Sequence, residues 1–134
     1  MLRPIASTAV MILFAVSTPS KACMPHMVYF QFGTARLNAE ALSGLDYALD
    51  EFRRQPGARL RLIARTDGIG TADANKRLAR RRGEAVRAAL VRRGIPARAI
   101  EIDARGEAEL APGGSDSDDR VVIIDVIAPT AGCR

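Results

Sequence analysis

The sequence predicts an α/β fold of the α+β sandwich kind, a mixed sheet in the order βαβαββ with both helices packed against it. Three observations carry this. Four short segments repeat apolar residues at period two, two longer segments repeat them at helical spacing, and the helical segments lie between strands. Strands joined by long helical crossovers imply a mixed sheet with both helices packed on it.

Val28, Phe30 and Phe32 mark the first strand, over about 27–33. Asn38 is a good N-cap for the first helix, in which Leu42, Leu45, Leu49 and Phe52 recur at helical spacing until Pro56-Gly57 ends it. Ala58, Leu60, Leu62 and Ala64 alternate with Arg59, Arg61 and Ile63 and form the inner face of a second strand. Residues 65–73, with Gly68 and Gly70, read as a loop, and a second helix runs from about 73 to 93, closed by Gly94 with Pro96 beyond it. Ile100, Ile102 and Ala104 mark the third strand and Val121 to Ile127 the fourth. Between these two, Ala111 to Asp119 is rich in Gly, Ser and Asp and reads as a mobile surface loop.

At 134 residues the chain has room for one folded domain. Residues 1–22 read as an export signal: Arg3 precedes an uncharged stretch from Ile5 to Ser20, whose apolar part, Ile5 to Val16, is shorter than the roughly 20 residues of a spanning helix. Ser20-Lys21-Ala22 predicts cleavage after Ala22, the alternative being an uncleaved anchor. Residues 23–134 are then the domain, with a core over about 27–128. Cys23 and Cys133, the only cysteines, would stand near the two ends of the mature chain in an oxidising compartment, which favours a disulfide between them. Acylation of Cys23 as a lipoprotein and free thiols are the alternatives.

The formal charge of +5, with 20 Lys and Arg against 15 Asp and Glu, invites a nucleic-acid reading. Arg3 and Lys21 belong to the leader, however, so the remainder carries +3, and export argues against that partner. On a helical wheel Leu78, Ala85, Val86, Ala89 and Leu90 share one face of the second helix, and Arg82 falls at its centre; Arg77, Arg80, Arg81 and Arg87 project elsewhere. An inward guanidinium keeps its charge and needs an anion nearby. Asp67, in the loop that opens the helix, is the predicted neighbour. The pair reads either as a structural ion pair or as a recess for a zwitterion, with Arg82 on a carboxylate, Asp67 on an ammonium and the free N–H groups of the helix start close by.

The run Thr66-Asp67-Gly68-Ile69-Gly70-Thr71-Ala72-Asp73-Ala74-Asn75-Lys76-Arg77-Leu78-Ala79-Arg80-Arg81-Arg82-Gly83 resembles the signature T-D-x-x-G-[ST]-x-x-x-N-x-x-L-S-x-x-R-A. That signature belongs to the peptidoglycan-binding domain shared by outer-membrane protein A, the peptidoglycan-associated lipoprotein and flagellar stator proteins. Phe30-Gln31-Phe32-Gly33-Thr34, Gly94-Ile95, Gly106-Glu107 and Arg120-Val121 resemble further segments of it. The resemblance implies a non-catalytic periplasmic module of a Gram-negative envelope. In it, Asp67 and Arg82 hold the meso-diaminopimelate of the peptidoglycan stem, Asn75 adds a side-chain contact, and Gly33, Thr34, Gly68 and Thr71 line the pocket. Outer-membrane or other envelope proteins are further partners it implies. The sequence departs from the pattern at Ala79 for Ser, Gly83 for Ala, Ala64-Arg65 for Gly-His, Gly33 for Asp and Asp119 for Arg, and Gly83 is expected to weaken the helix.

No cofactor, metal site or catalytic group is expected. His26 is the lone histidine, Gly68-Ile69-Gly70 lacks the continuation of a phosphate loop, Asp116, Asp118 and Asp119 lack EF-hand spacing, and Ser43, Ser115 and Ser117 have no base in view.

Overall fold

The computed structural model describes residues 24–107 and 116–129. The expected leader at 1–22, both Cys23 and Cys133, and most of the predicted surface loop lie outside the described residues.

Four strands and two helices follow in the predicted order: β1 (His26–Tyr29), α1 (Ala39–Arg54), β2 (Arg59–Thr66), α2 (Ala72–Arg92), β3 (Ile100–Glu107) and β4 (Val121–Ile127). The sheet runs β1-β4-β2-β3, with β4 antiparallel to both neighbours and β2 parallel to β3. Val28, Leu60, Leu62, Ala64, Val122, Ile124 and Val126 of the sheet, with Phe30 just past β1, meet Ala41, Leu45, Ala48 and Leu49 of α1 and Ala79, Val86, Ala89 and Leu90 of α2 in one core.

The local chemistry explains the boundaries. The Asn38 side chain accepts the Ala41 N–H at 2.8 Å and starts α1, and the Thr71 hydroxyl accepts the Ala74 N–H at 3.2 Å and starts α2. Gly94, at φ 97, takes the left-handed position after α2. The first strand is shorter than its alternation predicts. After Phe30, which still donates to the Arg120 carbonyl at 2.7 Å, Gly33 at φ 65 turns the chain, and Phe32 stands 57% exposed instead of facing the core. The second strand is longer. Arg65 and Thr66, assigned to a loop by sequence, continue the ladder opposite Gly106 and Glu107 beyond an irregularity after Ala64.

Gly83 accounts for how closely α2 lies on the sheet. A methyl group built there would stand 2.7 Å from Cγ2 of Ile102. The expected weakening of the helix is therefore only part of its effect, because the missing side chain also lets helix and strand approach.

Candidate functional site

The predicted site residues come together at the ends of β1 and β2 and the start of α2. Arg82, two turns and more into α2, is wholly buried among the apolar residues of that face. Its Nε donates to the carbonyl of Thr34 at 2.9 Å, Nη1 to that of Arg65 at 3.1 Å and Nη2 to that of Gln31 at 3.1 Å. The guanidinium also lies over the Phe30 ring, 5.2 Å from its centre. One side chain thus ties the β1–α1 turn, the end of β2 and α2 together. Burial pulls its pKa down to about 10, with Asp67 opposing the shift and Arg120 and Arg81 adding to it.

Asp67 follows β2 directly and is 4% exposed. Its carboxylate pairs with Arg120, which donates from Nη1 to Oδ2 at 3.3 Å. The direct Asp67–Arg82 pair expected from sequence is thus replaced by Asp67–Arg120, while Arg82 is held by carbonyls. Arg120 was visible as part of the Arg-Val motif before β4, but nothing local in the sequence brings that motif to Asp67. The β4 strand does so by pairing with β2. Beside this pair, Arg65 meets Asp119 at 3.3 Å.

Asn75 is buried in the first turn of α2 and donates to Glu107 at 3.4 Å. Thr71 uses its hydroxyl as the helix cap, and Gly68 is half-buried next to Asp67. Thr34 accepts the Arg36 N–H on its own hydroxyl at 2.8 Å, and Gly33 lies in the exposed turn. A recess of about 510 Å³ opens beside that turn, lined by Gln31, Thr34, Arg36, Leu37 and Asn38. The Thr66 hydroxyl and Arg120 Nε are buried without a hydrogen-bond partner among the described residues. One fixed anion, two guanidinium groups and unmet polar atoms can together receive a small group carrying both charges.

His26 lies elsewhere in function, its Nε2 paired with Glu51 of α1 at 2.5 Å. Among the described residues no cluster of His, Cys, Asp and Glu could hold a metal ion, and no helix is long and apolar enough to cross a membrane.

A profile of the OmpA family matches residues 29–122, the stretch that contains both Asp67 and Arg120. The chain belongs to the OmpA family. Solved structures with the OmpA-like fold superpose well. The peptidoglycan-associated lipoprotein of Burkholderia pseudomallei aligns at 24% identity and TM-score 0.68, over 75% of this chain and 89% of that one. The OmpA-like domain of FopA1 from Francisella tularensis aligns at 18% and 0.68, over 79% and 73%. A periplasmic domain of Helicobacter pylori MotB aligns at 14% and 0.63, over 77% and 71%. No curated protein sequence matches the chain. Membership of the OmpA family and these likenesses establish the fold as a mixed α/β one, four strands with two helices.

Proposed function

We propose that this protein is a non-catalytic periplasmic module that holds peptidoglycan through the meso-diaminopimelate of its peptide stem and so associates the cell envelope with its wall. The observation that carries the reading is the nearly buried Asp67 carboxylate beside two guanidinium groups at the start of α2. Asp67 accepts the ammonium of the amino-acid end. Arg120 and the positive charge of Arg82 attract its carboxylate. Asn75, Thr71, Gly68, Gly33 and Thr34 form the walls, and the unmatched Thr66 hydroxyl offers a further hydrogen bond. The names of similar structures, a peptidoglycan-associated lipoprotein and a periplasmic domain, support association with peptidoglycan and a periplasmic compartment. In this reading residues 1–22 are removed on export and Cys23 is available to Cys133.

Insoluble peptidoglycan is expected to retain the exported protein, and free meso-diaminopimelate to release it. Asp67→Ala is expected to abolish retention while leaving the fold intact. A folded Asp67→Ala variant retained as well as the wild type refutes the site.

A second reading has its own support in the complete burial of Arg82 and its three carbonyl partners. In it the charged cluster is structural, and the protein is an envelope interaction module. It requires that no diaminopimelate binding be detected by calorimetry.

A further inference from the structure

The outward face of α2 plays no part in the site above. Lys76, Arg77, Arg80 and Arg81 are all exposed there, and Arg92 continues the row toward the end of the helix. Lys76 and Arg80, and likewise Arg77 and Arg81, are four apart, a spacing at which like charges repel across one helical turn. Among the described residues none of these four cations forms an ion pair, although Asp73 and Glu84 lie on the same helix. Asp73, Lys76, Arg77 and Arg80 border a shallow recess of about 250 Å³. A helix stripe with five cations against Asp73 and Glu84, none of them in an ion pair among the described residues, is matched by an external array of anions.

The shape of the stripe selects the array. From Lys76 to Arg92 it runs about 24 Å along a helix at 1.5 Å per residue. It is convex, so it meets a flat surface along its length and does not enclose a strand. No aromatic residue is interleaved with its cations, so it lacks the stacking platform of a single-stranded nucleic-acid site. Of the large apolar residues on α2 only Val91 is exposed, so contact is electrostatic and without insertion of an apolar face. We propose that the outer face of α2 docks on an anionic phospholipid surface. The buried side of the same helix serves the site at its start, so the two contacts do not compete, and the inference stands independently of what that site binds.

The test is co-sedimentation of the exported full chain with phosphatidylcholine vesicles and with mixed phosphatidylcholine–phosphatidylglycerol vesicles. Any lipid anchor or apolar leader binds both kinds, so the quantity read is the gain on adding phosphatidylglycerol. That gain is expected to weaken about twenty-five-fold in Arg77→Gln/Arg80→Gln, at roughly five-fold for each cation near an anionic surface, and to fall steeply with salt. Arg54→Gln, an exposed arginine of α1, is expected to keep it, and circular dichroism confirms that the variants are folded. The proposal is overturned by equal binding to both vesicles, by a gain that Arg77→Gln/Arg80→Gln preserves, or by a loss of about five-fold in Arg54→Gln, the share of one cation, which would make net charge the cause. Capture by duplex DNA through Arg77 and Arg80 in the absence of any phosphatidylglycerol gain overturns it as well.

Discussion

At Arg82 the chain buries a full positive charge and spreads three of its five N–H donors over three carbonyls, two in the β1–α1 turn and one at the end of β2. Truncation at this position leaves a cavity and three carbonyl oxygens without their donor. Arg82→Ala is therefore expected to lower stability by about 3–5 kcal/mol in urea unfolding, in the range of broken buried polar networks. Arg82→Lys is expected to recover only part, because one ammonium cannot reproduce the planar fork. The sign of the pH effect follows from the lowered pKa. The unfolded chain keeps this proton to a higher pH than the folded protein, which holds it only to about 10, so the group's contribution to stability rises with pH above about 10 and is flat below that. The stability difference between the wild type and Arg82→Met is thus expected to stay constant from about pH 6 to 9. That Arg82 faces inward was legible, because a helical wheel needs only the spacing of apolar residues. Its acceptors were not, since backbone carbonyls carry no residue type, and Asp67 was the only acid within local reach. Arg120 went unassigned to the site because its neighbour is 53 positions away in the chain.

The two helices owe their distance from the sheet to glycine. In α1 a methyl group at Gly44 would lie 2.9 Å from the Met27 carbonyl oxygen, and in α2 one at Gly83 would lie 2.7 Å from the Ile102 side chain. Alanine is the better helix former by up to about 1 kcal/mol, yet Gly83→Ala is expected to destabilise by about 1–3 kcal/mol through overpacking. The cost should shrink in an Ile102→Ala background, which removes the opposing methyl group, and a double-mutant cycle measures the coupling. Gly106 is more constrained still: it combines φ 79 with a built methyl only 3.2 Å from the Lys76 nitrogen, in the first turns of α2. The ends of both helices were legible in Asn38 and Gly94, whose roles are local. The close approaches were not, because a glycine in a helix carries no mark of what lies opposite. Strand ends erred for the same reason. Thr66 is in a strand because Glu107 pairs with it, and Phe32 leaves one because Gly33 turns the chain.

For the whole molecule, the element order was readable and the spatial order was not. Alternation fits β4 equally well at an edge or in the interior, and only the ladder shows it between β1 and β2. Amide exchange is expected to be slowest in β2 and β4, which are paired on both sides, and fastest in the four-residue edge strand β1. A chain truncated before Val121 is expected to lose the cooperative unfolding transition, since β1 then has no ladder partner and the core lacks Val122, Ile124 and Val126.

The interior place of the last strand also sets a schedule. A chain that emerges N-terminus first from a ribosome or a translocation pore presents β1 first among the strands and its partner β4 last, so one half of the sheet waits while the other forms. The parallel β2–α2–β3 unit has all its parts early; β1 and α1 do not, and Val28 and Phe30 stay in water until β4 is released. Closure of the fold is thereby coupled to release of β4, and until then a chaperone has apolar surface to hold.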